Sequence, residues 1–287
     1  MNQVAVTISQ KSDMLASRAA SLRLSILQTH ATAGQGHLGS SLSIVEILTA
    51  LFASGLDTSG WTVNSPRGDR LVLSKGHAAL ALYCALARDG LLDPSALKTF
   101  GRNGSALEPH PNERVLPAVQ VSTGSLGQGL SVGLGLAHGS RMAGEDERCF
   151  VVLGDGELNE GQPWEAAIAA VRLKLGNLVA IVDANGMQQD GFMEDVMPVR
   201  NLAESWTALG WMGREVDGHD VEALVEALKE ARLVSSCSQP KLIVARTLKA
   251  RGVPFMENTV ESHFPTPLTD GEIALVTGAG SQETWHV

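Results

Sequence analysis

Between Leu153 and Gly191 the chain reads LGDGELNEGQPWEAAIAAVRLKLGNLVAIVDANGMQQDG. This is the end of an apolar strand, an acidic glycine-rich turn, a helix, a second apolar strand and an Asn in a polar turn. The segments Cys149 to Leu153, Leu178 to Asp183 and Lys241 to Arg246 are rich in β-branched and apolar residues, as strands covered on both faces tend to be. The expected fold is therefore α/β, a parallel sheet with helices on both faces.

That order puts Asp155 and Asn185 at the carboxyl ends of two strands, where open α/β sheets bind their ligands. A carboxylate, a side-chain amide oxygen and a backbone carbonyl near Met187 make an oxygen-only site of low charge. Mg²⁺ suits it, because the ion takes near-octahedral oxygen ligands and keeps positions for phosphate oxygens. Gly154 and Gly156 flank the acid, so the backbone can turn tightly and offer free N–H groups to a diphosphate. Taken alone, a Gly-Asp-Gly turn has a second reading as ordinary turn or helix-capping chemistry. The Asn at the next strand end favours the ligand reading, since two oxygen donors then converge.

The chain has 287 residues, of which 44% are hydrophobic, enough for one substantial α/β core. A net charge of -9 argues against a nucleic-acid or membrane-surface role, which needs a clustered basic footprint. Cys84, Cys149 and Cys237 are scattered and lack metal spacing, so neither a disulfide framework nor a zinc site is expected, and a cytoplasmic setting is. The first twenty residues lack a long apolar core, and no later run is long and apolar enough to span a bilayer.

Along the chain we expect a polar leader (1–12), one α/β domain (13–250) and an irregular C-terminal segment (251–287) carrying His263. Helical spacing runs from Met14 to Thr32 and again from Ile44 to Phe52; Arg70 to Leu73 reads as a short strand before a helix from Ala78 to Ala87. Residues Leu91 to Pro117 turn to Gly, Pro, Asn and charge, which suits an ordered loop over a site, with disorder as the competing reading. The Gly- and Ala-rich helix after Gly129 is costly in isolation and must pack closely against something. A further helix-strand-helix step spans Trp206 to Val234, punctuated by VDGHD, and a last helix is expected over Asp270 to Thr277.

Four of the eight histidines, His37, His77, His110 and His263, lie in Gly- or Pro-containing loops rather than on apolar faces. Imidazole can donate to a phosphate or a sugar hydroxyl and exchange protons near neutral pH, so these four are candidate catalytic residues. A single loop histidine is otherwise a solvated surface residue.

GDG followed one helix and one strand later by Asn resembles the thiamine diphosphate motif. Together with GQGHLGSSLSIVEIL, DRLVLSKGHAALALY, EPHPN, VSTGSLGQGLSVGLGLA and VDGHDVEAL, all in one order, the chain resembles the cofactor-diphosphate half of the transketolases, from about Leu22 to His263. The resemblance implies thiamine diphosphate and Mg²⁺ as cofactors, with Asp155, Asn185 and the Met187 carbonyl as metal ligands. It implies cofactor contacts from His77, Gly124, Leu126, Gly156 and His263. It also implies that His37 faces the donor carbonyl and His110 the donor-sugar hydroxyls. Glu160 and Glu165 resemble helix carboxylates near the family's dimer interface, and solvent-facing helix charge is the alternative. The sequence departs from the family at Leu38, Asn112, Ser125, Ser262 and Phe264, the last able to reshape the pocket mouth.

The resemblance further implies transfer of a two-carbon ketol unit from a ketose, phosphorylated or otherwise anionic, to an aldose. The acid that acts on the cofactor's aminopyrimidine belongs, in that family, to a second domain. The expectation is thus an N-terminal subunit of a split transketolase, inactive alone, with a C-terminal subunit supplying the pyrimidine-binding domain and the catalytic Glu in an α2β2 assembly. Three alternatives stay open on sequence: the alpha subunit of a 2-oxo acid dehydrogenase, a deoxyxylulose phosphate synthase, and a non-catalytic scaffolding relative.

Overall fold

A computed structural model describes residues 2–62, 65–66, 68–233 and 238–277. Helix α1 (Asn2–Ala33) leads into two short helices, α2 (Leu38–Ser43) and α3 (Val45–Ala50). A small antiparallel pair, β1 (Trp61–Thr62) and β2 (Ser65–Pro66), precedes strand β3 (Arg70–Leu73) and helix α4 (Ala79–Arg88). Residues 91–117 then form an ordered irregular loop with one 3-10 segment, followed by α5 (Gly129–Ala143) and β4 (Cys149–Gly154). The remainder alternates: α6 (Gln162–Arg172), β5 (Leu178–Ala184), α7 (Met193–Val196), α8 (Leu202–Leu209), β6 (Met212–Asp217), α9 (Val221–Leu233), β7 (Lys241–Arg246) and α10 (Asp270–Thr277). Val234 and Cys237 lie outside the described residues.

Strands β3 to β7 form one parallel sheet in the order β3-β4-β5-β7-β6. The three central strands are buried almost throughout, and their side chains alternate between two cores. Phe150, Val152, Val179, Ile181 and Ile243 join α1, α3, α4 and α9 on one face. Val151, Leu153, Ala180, Val182, Leu242 and Val244 join α5, α6 and α8 on the other. Helices thus cover both faces, as the strand composition required.

The glycines of α5 serve this packing only in part. A Cβ at Gly133 would collide with the Val151 side chain, so the helix can approach β4 only through glycine there, whereas Gly135 and Gly139 face open space. Close packing therefore explains one side of the helix and not the other. Of the cysteines, Cys84 and Cys149 are buried, and burial pushes their thiols up to about 11 and about 12, which leaves them protonated and inert. Among the described residues no helix is long and apolar enough to cross a membrane.

Because all five strands run the same way, their carboxyl ends share one edge of the sheet. Ser74 follows β3, Asp155 follows β4, Asn185 follows β5 and Thr247 follows β7. The register pairs Gly154 with Asp183, so the residues just beyond them come side by side.

Candidate active site

A cavity of about 350 Å³ opens at this edge, and it is lined by every residue put forward above as catalytic, cofactor-binding or metal-ligating: His37, His77, His110, His263, Gly124, Leu126, Asp155, Gly156, Asn185 and Met187. Larger depressions lie elsewhere among the described residues, one between α1 and α10 and two beside β6, and none of these gathers such a set of histidines and oxygen donors.

Its floor is the GDG turn. Asp155 is 6% exposed; one carboxylate oxygen accepts the Gly156 N–H at 2.9 Å and the other the Gly186 N–H at 2.7 Å. Among the described residues it makes no ion pair, and burial first, then the neighbouring Asp183, pushes its carboxyl up to about 7. A divalent cation would relieve this cost. Asn185 is buried beside it, its Nδ2 donating to Asp183 at 3.0 Å. With the amide nitrogen so engaged, Oδ1 is the acceptor end; it takes the Met187 N–H at 3.0 Å and keeps a further lone pair. Carboxylate, amide oxygen and the Met187 carbonyl form a hard donor set that fits Mg²⁺.

Asp183, which the sequence reading passed over as the end of an apolar strand, is fully buried and ties four segments together. It accepts from Ser43 Oγ at 2.7 Å, Thr247 Oγ1 at 2.5 Å, Asn185 Nδ2 and, in a short ion pair, Lys75 Nζ. Burial opposes its ionisation, but Lys75, Thr247 and Ser43 outweigh that and hold its carboxyl below the usual range.

The buried carboxylate of the next turn is Glu157. It accepts from Ser74 Oγ, from Gly127 N at 2.9 Å and from Gly154 N at 3.1 Å, binding the GDG turn to the GSLG turn. Glu160 and Glu165 are both exposed in this chain.

The four histidines converge above this floor. His37 is the hub: its ring centroid lies 5.3 Å from His77, 5.6 Å from His110 and 5.0 Å from His263. Burial above all lowers each imidazole's basicity, to about 4 for His37 and about 3 for His263, and well down for His77, where the charge of Lys75 adds to it. His110 is lowered as well and stays exposed on one edge. Near neutral pH all four are thus uncharged, each with one N–H to donate and one nitrogen able to take a proton. Nδ1 of both His37 and His263 is buried without a partner.

Local structure aims these rings. Tyr83 Oη donates to the carbonyls of Glu108 and His110, pinning the 91–117 loop, and Asn112 bonds Glu108 at 3.1 Å within that loop. Gly124 has φ +151°, and a Cβ there would stand 3.1 Å from His110, so the turn depends on glycine. Phe264 is 61% exposed at the mouth, its ring 4.4 Å from His37 and 4.6 Å from His263.

Lys249 was missed from sequence. It is 1% exposed, lines the cavity, donates to the Gln188 carbonyl at 3.1 Å and has no ion-pair partner among the described residues. Burial and the nearby Lys75 lower its ammonium to about 8. Neither its composition nor its spacing flags it, because its burial depends on the return of the chain after β7.

A parallel α/β sheet whose strand ends carry an oxygen donor set, a buried ammonium and a ring of neutral histidines has the chemistry to hold an anionic ligand with a metal ion and to move protons beside it. The family described as "Transketolase, thiamine diphosphate binding domain" matches residues 15–283, and the chain belongs to that family. The 6-deoxy-6-sulfo-D-fructose transketolase subunit SqwG of Clostridium sp. (strain MSTE9) is 39% identical over 230 residues, 80% of this chain and 83% of the relative. An apulose-4-phosphate transketolase subunit of Actinobacillus succinogenes is 36% identical over 266 residues, 92% of this chain and 95% of the relative. A crystal structure of a transketolase variant from Pichia stipitis superposes with a TM-score of 0.84 at 31% identity, covering 96% of this chain and 42% of that one. The chain therefore spans about two fifths of the single-chain enzyme and nearly the whole of the separate subunits.

Proposed function

We propose that this chain acts with a C-terminal subunit to pass a two-carbon ketol unit from a ketose to an aldose, and that its cavity holds the diphosphate of thiamine diphosphate through Mg²⁺. The observation that carries the proposal is a buried carboxylate and a buried ammonium lining one cavity, Asp155 and Lys249, neither of them in an ion pair among the described residues. Leaving either alone is costly, and a metal diphosphate supplies the counter-charge for both.

In this reading Asp155, Asn185 and the Met187 carbonyl hold Mg²⁺, while Lys249, His77 and His263 face the diphosphate oxygens, and Gly156, whose N–H is held by Asp155, lets the turn lie close beneath them. Gly124 and Leu126 support the ring system. When bound, thiamine diphosphate supplies the electron sink that allows cleavage next to a ketose carbonyl. His37, His77 and His263, kept neutral by burial, donate to oxygens that gain charge during the reaction and take up protons released from substrate hydroxyls. His110, at the exposed edge, orients the donor's hydroxyls. Phe264 restricts water at the mouth.

The relatives named above act on a sulfonated ketose and a phosphorylated one, which supports an anionic tail on this chain's donor. The assembly is proposed as two copies of each chain related by a two-fold axis, in the cytoplasm. Ketol transfer assayed on this chain with and without its C-terminal partner tests the reading. Activity is expected only with the partner, thiamine diphosphate and Mg²⁺ together; full turnover by the lone chain would overturn it.

A further inference from the structure

The VDGHD stretch does not line the cavity, and its histidine is tied to the backbone beside Lys249, a cavity residue with no ion pair among the described residues. Asp217 Oδ1 accepts the His219 N–H at 2.8 Å, and Asp220 Oδ1 accepts the N–H groups of Glu222 and Ala223 at 3.0 Å, capping α9. Gly218 lets this turn lie against the end of β7: its N–H donates to the Arg246 carbonyl at 2.7 Å, and a Cβ there would strike Thr247. The His219 ring is thereby delivered to the segment that follows β7.

Its two nitrogens have fixed roles. The Leu248 N–H donates to Nε2 at 2.8 Å, and a backbone N–H can only donate, so Nε2 is the acceptor. Nδ1 then carries the proton and donates to Glu46 Oε2 at 2.9 Å. Glu46 also receives Arg23 in a short ion pair, and Arg23 Nε donates to the Arg251 carbonyl at 3.0 Å. Burial opposes ionisation of Glu46, yet the His219 and Arg23 bonds outweigh it and lower its carboxyl below the usual range.

Each residue of the turn has its own peg. Thr247 Oγ1 reaches Asp183, the Leu248 N–H reaches His219, the Lys249 carbonyl accepts the Asn258 N–H at 3.1 Å, and the Ala250 N–H reaches the Gly39 carbonyl at 3.0 Å. Ala250 is held at φ +62°, a left-handed conformation costly for a residue with a Cβ, so the turn is not one the sequence adopts unaided. The His219 bond is the peg immediately before Lys249.

We propose that His219 is a positioning residue of the anion site: by accepting the Leu248 N–H through Nε2, it holds the turn that presents Lys249 to the cavity. The inference rests on the diphosphate reading above. It assigns no contact between His219 and ligand or substrate.

The test is calorimetric titration of the full chain with magnesium and inorganic pyrophosphate. Lys249→Met is expected to weaken binding about tenfold or more, the loss of a charged hydrogen bond. His219→Asn keeps a donor near Glu46 but has no acceptor within reach of Leu248, and is expected to weaken binding to a similar degree; His219→Phe, of similar shape, serves the same comparison. His219→Gln, whose amide oxygen reaches the place of Nε2, should bind within about twofold of wild type. Combining His219→Asn with Lys249→Met should weaken binding no further than Lys249→Met alone, since both act through one ammonium. Wild-type affinity in His219→Asn and His219→Phe alongside a weakened Lys249→Met, losses that add in the double variant, or a Gln variant as weak as the Asn variant would each overturn the inference and leave the diphosphate reading standing. A wild-type chain that binds no magnesium pyrophosphate would instead sink the diphosphate reading, and the role of His219 with it.

Discussion

Lys75 and Asp183 form an ion pair in which neither side chain is more than 2% exposed, joining the segment after β3 to the end of β5 across the intervening strand β4. The pair is shared with Ser43, Thr247 and Asn185, so the carboxylate that neutralises the lysine also orients the amide proposed as a metal ligand. Removing one member strands a buried charge. Lys75→Met or Asp183→Asn alone should cost about 3–5 kcal/mol, whereas Lys75→Met with Asp183→Leu should recover much of that loss. Urea unfolding of the three variants checks this; equal losses in single and double variants would contradict it.

The lowered basicity of His37 and His263 makes stability depend on pH in a definite direction. Both sit below the ordinary value of 6.5, at about 4 and about 3, because burial penalises the imidazolium. Between those values and 6.5 the unfolded chain binds more protons than the folded one, so stability rises with pH across that window and is complete above it. Unfolding free energies measured at pH 4.5 and pH 7.5 should differ, with the native state weaker at the lower pH, and His37→Gln should shrink the difference. A flat profile, or one falling with pH, would contradict this direction.

Phe264 contributes to that burial. Its ring packs on both His37 and His263 while remaining largely exposed itself. Phe264→Gly should admit water to the two imidazoles and move their titration upward toward 6.5, as followed by NMR of the ring protons. Unchanged titration of both histidines would show that the deeper walls of the cavity alone set their basicity.

The fold could be read from three buried strands and the GDG turn because parallel strands covered on both faces leave a continuous apolar run. The histidines could be read because loop position and motif order coincide. Asp183 carried a signal that went unused: an acid in the strand LVAIVDA is almost never fully buried without a partner. Lys249 and Glu157 carried none, since what makes them significant is burial produced by the chain's return over the sheet. His219 was visible only as punctuation; its work depends on Leu248 and Glu46, which are distant in sequence and adjacent only in space.

Asp155 and Asn185 should act on the metal and not on protons. Asn185→Ala should therefore weaken Mg²⁺ in the presence of thiamine diphosphate and leave the titration of the histidines in place. Raising the Mg²⁺ concentration should restore part of the binding to Asn185→Ala and little to Asp155→Ala, which loses the charged ligand. Equal behaviour of the two, with no dependence on Mg²⁺, would argue that neither touches the ion.

The proposed function turns on a divalent cation that joins the ends of β4 and β5 to a diphosphate. Anomalous diffraction from the chain crystallised with its C-terminal subunit, Mn²⁺ and thiamine diphosphate would locate that ion. One strong peak is expected within roughly 2.0–2.3 Å of Asp155, of Asn185 Oδ1 and of the Met187 carbonyl, close to the bond lengths of a hard cation. Cofactor bound with no peak at those three oxygens, or with the metal elsewhere, would contradict it.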